Sequence, residues 1–169
     1  MSDPLPDISF ETLVATYYQP LYRFAYSLSK TPDGASDLTQ QTFLIWGEKG
    51  HTLRDSTKVK SWLFTSLYRE FLRQNRRSQK VTPIDQEILE SRHDPSLVNN
   101  IRRMEGKEAM EALHDLDGVY REPLTLFYLE NMAYKEIAEV LDIPIGTVMS
   151  RLARGKAQLK LKLTEKIRK

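Results

Sequence analysis

Two amphipathic segments separated by a three-residue turn constrain this chain more than any other feature of its sequence. Tyr134-Lys-Glu-Ile-Ala-Glu-Val-Leu141 carries Ile137, Ala138 and Leu141 on one side, and Asp142-Ile143-Pro144 stops it. A second helix is expected from Ile145 to beyond Leu161. Helices joined by so short a turn cross steeply. The crossing needs a small residue and an apolar plug, which Ala138 and Ile143 supply. Val148 and Leu152 anchor the second helix from beneath, leaving Thr147, Met149, Ser150, Ala153 and Arg154 on the expected outward face. In a helix-turn-helix of this kind the N-terminal half of the second helix enters the major groove. The candidate base- and phosphate-contacting residues are Gly146, Thr147, Met149, Ser150, Arg151 and Arg154. Arg154 can donate two hydrogen bonds to a guanine edge, and the free N–H groups at Gly146-Thr147 suit a phosphate. The plainer alternative is a helical hairpin with a solvated basic face. The combination of Ala138, the plug, Val148 and a basic final helix favours DNA.

Helical spacing dominates the rest of the chain. Phe10, Leu13, Val14, Tyr17, Leu21, Phe24, Ala25 and Leu28 recur at steps that place them on one helix face, with a kink or break expected at Pro20. After a turn at Thr31-Pro32-Asp33-Gly34, a helix is predicted from about Ala35 to about Glu48, its core side formed by Leu38, Ile45 and Trp46, with Gly47 and Gly50 ending it. A polar loop, Gly50 to Thr57, leads to a long helix from about Lys58 to about Arg77. Val59, Trp62, Leu63, Leu67 and Phe71 should face the core, and Arg69, Arg73, Arg76, Arg77 and Lys80 form a basic stripe. Val81 to Asn99, with Pro83, Pro95 and several acids, reads as a flexible linker. Periodicity returns at Ile101, Met104, Ala109, Ala112, Leu113 and Leu116. Asp117-Gly118 then breaks the pattern, and a helix follows from about Tyr120 to Asn131 with Pro123 in its first turn. The expected fold is all-α, with two small helical domains over 8–80 and 100–169 joined by an acidic linker over 81–99. A connection of roughly twenty residues is long for the inside of one compact domain.

Net charge is only +2, but the charge is blocked. Arg54 to Lys80 holds eight basic and two acidic residues, Asp85 to Glu130 five basic and eleven acidic, and Ile145 to Lys169 eight basic and one acidic. Two basic blocks flanking an acidic one suggest two separate polyanion contacts. The tail Lys156, Lys160, Lys162, Lys166, Arg168 and Lys169 suits phosphate contact or solubility better than base reading. Cysteine is absent, which excludes disulfides and thiolate metal sites. The acidic start, Met1 to Asp7, is no signal peptide, and no stretch approaches the ~20 apolar residues of a membrane span, so the chain reads as cytoplasmic with no membrane insertion. His51, His93 and His114 are scattered, and no phosphate loop, paired-His metal spacing or nucleophile motif occurs. No enzyme, metal or cofactor is expected.

These segments resemble a known family. Tyr134 to Arg154 is similar to the region-four motif of extracytoplasmic-function (ECF) sigma factors, and Tyr120-Arg-Glu-Pro-Leu-Thr-Leu-Phe-Tyr-Leu-Glu130 resembles the helix that precedes it there. Asp37-Leu-Thr-Gln-Gln-Thr-Phe-Leu-Ile-Trp46 resembles the family's region two, followed by Lys60-Ser-Trp-Leu-Phe64 and the basic Arg73 to Arg77 run. The resemblance spans about Phe10 to about Leu161. It implies a sigma factor that directs core RNA polymerase to promoters and helps open the −10 element. Asp37, Gln40, Gln41, Leu44 and Glu48 would dock on the β′ clamp; an apolar Leu44 inside a polar stripe is what a partner surface shows. The apolar helices from Ile101 to Met132 would seat the β flap. Arg54, Lys58, Arg69, Arg73, Arg76 and Arg77 would hold the −10 non-template strand, because single-strand capture needs a cationic track and aromatic platforms. Core packing is the better reading for Trp62 and Phe71; Phe64 and Tyr68 fit core or platform equally, and Phe64 is kept among the −10 candidates. The final helix would read the −35 element. An anti-sigma factor is a frequent partner in the family.

The chain departs from the family at a few positions. Asp142 stands where glycine is usual and is expected to take a left-handed conformation. Pro144 replaces a Ser or Thr cap, so that cap hydrogen bond should be missing. Met149 and Ala153 occupy positions often basic and bulkier, and Arg69 and Arg73 replace Asn and Asp. The competing readings are a conventional helix-turn-helix regulator that binds duplex DNA without polymerase, and a pure protein-interaction module. A simple repressor has no need of the Asp37 to Trp46 pattern, and two basic helical blocks argue against the module.

Overall fold

The computed structural model describes residues 8–76 and 111–167. Every regular element among them is helical, and the chain divides into two compact units, Met1–Thr82 and Pro83–Lys169. Arg77, Lys80, the expected linker over 81–99 and the residues from Ile101 to Met110 lie outside the described set.

In the first unit α1 spans Phe10–Ser29, α2 Pro32–Lys49 and α3 Val59–Arg76. Ser9 starts α1 by accepting the Thr12 N–H on its hydroxyl at 3.2 Å. Lys30 ends it at φ 62°, donating its N–H to the Tyr26 carbonyl. The expected break at Pro20 does not occur, and α1 runs through it. Pro20 forgoes one backbone hydrogen bond, but Leu13 before it and Leu21, Phe24, Ala25 and Leu28 after it are all buried, so packing holds both halves in one helix. The start of α2 comes three residues before the predicted Ala35. Thr31 accepts the Gly34 N–H at 3.1 Å, and Pro32 occupies the first helical position, where its missing N–H costs nothing. Gly47 lies within α2, which continues to Lys49. Two short 3₁₀ turns, Gly50–Thr52 and Ser56–Lys58, replace the expected irregular loop.

The core of this unit joins α1 to Ala35, Leu38 and Phe43 of α2 and to Val59, Leu63, Phe64, Leu67 and Tyr68 of α3. Thr39 and Thr42 are also fully buried. Each hydroxyl donates to the carbonyl one turn back, Ala35 and Leu38 respectively, both at 2.7 Å, so neither carries an unmet hydrogen bond into the core. The predicted core face of α2 is therefore shifted: Leu38 is buried, Ile45 and Trp46 are only half-buried, and the two threonines and Phe43 complete the seam.

In the second unit, 111–114 is helical. Next come α4 over Gly118–Leu124, which widens into a π-turn over Thr125–Leu129, then α5 over Tyr134–Leu141 and α6 over Ile145–Ile167. Since α4 begins at Gly118, Pro123 falls in the second turn rather than the first, and the π-turn follows almost directly. Proline withholds one N–H, and a local change to wider hydrogen bonding absorbs the mismatch. The carbonyls left at the end of the 111–114 helix are capped by two cations, one five residues on and one 47 residues away. Arg121, 5% exposed, donates to the Leu116 carbonyl at 2.7 Å, and Lys162 donates to that of Asp115 at 2.7 Å. Gly155 is the close approach between α6 and α4: a Cβ there would lie 2.7 Å from Leu124 Cδ1 and 3.2 Å from Tyr120 Cβ.

Candidate nucleic-acid interface

The helix-turn-helix is built by α5 and α6. Ile137, Val140 and Leu141 of α5 and Val148 and Leu152 of α6 are buried, and Ala138 is half-buried. The turn closes on the Ala138 carbonyl, which receives the N–H groups of Asp142 and Ile143, the latter at 3.1 Å. Asp142 takes φ 53°, ψ 52°, the left-handed conformation expected where glycine is missing. The Pro144 carbonyl accepts from Thr147 and Val148 at 3.0 and 3.1 Å, so the backbone opens α6 in place of a side-chain cap. At the other end, Glu136 accepts the Ala133 N–H at 3.3 Å and secures the start of α5.

Within α6 the candidate residues do not share one face. Gly146 and Met149 are exposed, and Thr147, Arg151 and Arg154 are half-buried. Ser150 is buried and its hydroxyl donates to the Thr147 carbonyl at 3.1 Å. The expectation that Ser150 points outward is corrected: it lies one step around from Met149, and its short side chain is satisfied by its own helix. Two tail lysines are also reassigned by their contacts. Lys162 caps Asp115, and Lys156 is 5% exposed with its ammonium 5.0 Å from the centroid of the Phe127 ring and 5.8 Å from that of Tyr128. Burial lowers the pKa of Lys156 from its ordinary 10.5, while the two ring faces attract its charge. Lys160 stays exposed.

On α2, Asp37, Gln40, Leu44 and Glu48 are exposed and Gln41 is half-buried, opposite the Ala35–Leu38–Thr42 seam. Leu44 is 62% exposed. A leucine left in water beside charged and amide neighbours, on a helix with an ample core, marks the side on which no part of this unit packs.

On α3, Arg69, Arg73 and Arg76 are exposed, as are Arg54 and Lys58 ahead of it. The cationic track is interrupted by Glu70. Arg73 donates Nη2 to Glu70 Oε1 at 2.6 Å and Nε to Oε2 at 3.0 Å, and the hydrogen bond and charge of Glu70 raise the pKa of Arg73. In the loop ahead of α3, Asp55 caps the second 3₁₀ turn. It accepts from the Thr57 hydroxyl at 2.6 Å and the Thr57 N–H at 3.0 Å, and these bonds hold its pKa below the ordinary 3.8.

The aromatics of α3 left open between core and platform, Phe64 and Tyr68, both belong to the core. Phe64 has no exposed surface and lies 5.6 Å from the Phe24 ring, and Tyr68 packs 6.2 Å from the same ring. A side chain with no exposed face cannot offer a platform to a base, so Phe64 leaves the DNA-facing candidates. Trp62 and Phe71, assigned to the core by spacing, are half-buried. Trp62 meets Trp46 edge-to-face at 5.2 Å, and Trp46 lies over Gly50, where a Cβ would come within 2.5 Å of the indole. The signal that could have separated these roles was Phe24, whose burial on α1 places it opposite Phe64. Among the described residues no group of three His, Asp or Glu is placed to hold a metal, and no helix is long and apolar enough to cross a membrane.

Residues 13–81 match Sigma-70 region 2, and residues 107–159 match Sigma-70, region 4. The chain is 30% identical over 154 residues to the ECF RNA polymerase sigma factor SigM of Bacillus subtilis (strain 168), covering 90% of this chain and 94% of that protein. It is 27% identical over 158 residues to the RNA polymerase sigma factor SigV of the same organism, covering 91% and 90%. Among solved structures it is similar to the sigma factor RpoE from Bartonella quintana, determined in complex with the anti-sigma factor NepR, with a TM-score of 0.69, 26% identity and coverage of 92% of this chain and 96% of that one. Matches to both family models, and 30% identity to a relative over 90% of this chain and 94% of that protein, place this chain in the family of ECF RNA polymerase sigma factors.

Proposed function

We propose that the chain divides the work of initiation between its two units, with domain limits at 8–80 and 100–169 and the 81–99 segment as tether. The outer face of α2, Asp37, Gln40, Gln41, Leu44 and Glu48, docks on the β′ clamp of core polymerase. Arg54, Lys58, Arg69, Arg73 and Arg76, with Arg77 beyond the described residues, hold the −10 non-template strand, and half-buried Trp62, rather than the buried Phe64, offers the aromatic platform. The N-terminal half of α6 lies in the major groove of the −35 element, with Gly146, Thr147, Met149, Arg151 and Arg154 toward DNA. The apolar helices before α5 seat the β flap. The protein acts as an initiation factor and not as an enzyme, alongside polymerase in the cytoplasm. An anti-sigma factor is a further partner, supported by the complex in which the Bartonella relative was solved.

The observation that carries the reading is Leu44, 62% exposed within the polar stripe of a helix whose core seam is Ala35, Leu38, Thr39 and Thr42. In vitro transcription with core polymerase on a promoter library tests it. Wild-type protein should yield promoter-dependent transcripts, and Leu44→Arg should abolish them while leaving the helical melt unchanged. Tight duplex binding without polymerase, with no promoter-dependent transcript, would overturn it.

A further inference from the structure

Where the polar side chains of α6 point restricts what this helix can read. The Ser150 hydroxyl is turned to the Thr147 carbonyl, and Arg151 and Arg154 are half-buried along its flank. The large side chains most exposed in the first two turns are apolar. Ile145 is 50% exposed and Met149 41%, one turn apart and therefore neighbours on the helix surface. Gly146 beside them is open, with nothing within 4 Å of where a Cβ would stand. Both stay exposed although Val148 and Leu152, three residues further along from each, are buried on the adjoining face of the helix.

Among the groups on the major-groove edges of base pairs, the C5 methyl of thymine is the apolar one. An unbranched thioether is well suited to follow a methyl group, because it has three rotatable bonds and a polarizable sulfur. We propose that Ile145 and Met149 read thymine methyl groups within the −35 element, so that this chain selects its promoters there through apolar contacts rather than through a basic residue at position 149. The inference rests on α6 being the major-groove helix, as proposed above. Gly146 lets the two side chains and the backbone approach the groove floor without a third side chain standing between them.

The test uses reconstituted holoenzyme and a promoter on which it is active. Each thymine of the −35 element is replaced singly by deoxyuridine, which removes the methyl and keeps every hydrogen-bonding group. At one or two thymines the change should lower promoter occupancy about threefold to fivefold, the effect of one methyl withdrawn from water. Met149→Ala or Ile145→Ala should erase the difference between thymine and uracil at the matching position. Both residues are exposed, so an unchanged melting temperature is expected and checks that the fold is intact. Insensitivity to uracil at every thymine, in a holoenzyme that still distinguishes −35 sequences, overturns the inference and leaves the proposed function standing. A uracil effect of equal size in wild type and both variants also overturns it. A wild-type holoenzyme indifferent to the −35 sequence altogether removes the major-groove reading itself.

Discussion

The ammonium of Lys156 lies 5.0 Å from the centroid of the Phe127 ring, held there by a side chain that is 5% exposed. Phe127 sits in the π-turn that follows α4, so this contact ties the irregular segment to α6. The charge is attracted by the rings and disfavoured by burial, and the two effects oppose one another. Lys156→Met keeps the shape and removes the desolvation, and should change unfolding free energy by less than about 1.5 kcal/mol. Lys156→Glu places an anion over two ring faces and should unfold the second unit. The folded-state pKa of Lys156 lies below its ordinary 10.5, so the unfolded chain holds the proton more tightly. The burial penalty is therefore full at neutral pH and is relieved as pH rises through the folded pKa toward 10.5. Urea titrations should show the Met variant's advantage narrowing between pH 7 and pH 10.

Glu70 holds Arg73 in a two-pronged ion pair on α3. A phosphate must displace that carboxylate before Arg73 can contribute to a strand contact. Glu70→Gln should raise the affinity of holoenzyme for a single-stranded −10 non-template oligonucleotide at low salt. The slope of log affinity against log salt should steepen by about 0.7, the value of one added single-strand contact. An unchanged slope would show that Arg73 does not reach the backbone.

Gly155 leaves no room for a Cβ, which would meet Leu124 Cδ1 at 2.7 Å, and Leu124 is itself fully buried. Alanine in a helix interior is worth about 1 kcal/mol over glycine, whereas overpacking costs about 1–3 kcal/mol. Gly155→Ala should therefore lose about 1 kcal/mol net, with the loss confined to the second unit in a thermal melt. Gly146→Ala meets open space, and by the same comparison should be neutral or stabilising.

Asp55 organises the loop between α2 and α3 through two hydrogen bonds from Thr57. Its folded pKa is held below 3.8. The cap is therefore complete at neutral pH, weakens as pH falls past 3.8 and is lost as pH falls through the folded value. The half-buried Trp46 and Trp62, both in the first unit and the chain's only tryptophans, lie at the two ends of this loop and report on it. Intrinsic fluorescence should hold steady above pH 3.8 and change as pH falls below it. In Asp55→Ala that change should already be present at pH 7.

How much of the interface could be read in the sequence follows the reach of each signal. Spacing identified α5, the turn and α6, because Ile137, Leu141, Val148 and Leu152 face one core and their order along the chain encodes it. It also separated the exposed Asp37–Leu44–Glu48 side of α2 from its buried side. It failed where two apolar faces of one helix compete. On α3 the aromatics at 62, 64, 68 and 71 point to more than one side, and which of them face inward depends on Phe24 lying 5.6 Å from Phe64. Glu70 was invisible for a similar reason: a charge count cannot tell an isolated carboxylate from one locked to Arg73.

By itself, the sequence determined the all-α class, the helix-turn-helix with a left-handed Asp142, and the family, since each rests on local periodicity or on contiguous motifs. Only the tertiary structure decided the continuity of α1 through Pro20, the burial of Phe64, the turning of Ser150 into its own helix, and the use of Arg121, Lys156 and Lys162 to hold the second unit together. Phe64, Lys156 and Lys162 depend on partners distant along the chain, Asp115 and Lys162 being 47 residues apart, while Ser150 and Arg121 take carbonyls three and five residues away that periodicity does not assign to them. The free energy of burying a ring or a cation is set by what surrounds it in space, and adjacent residues in the sequence do not supply that surrounding.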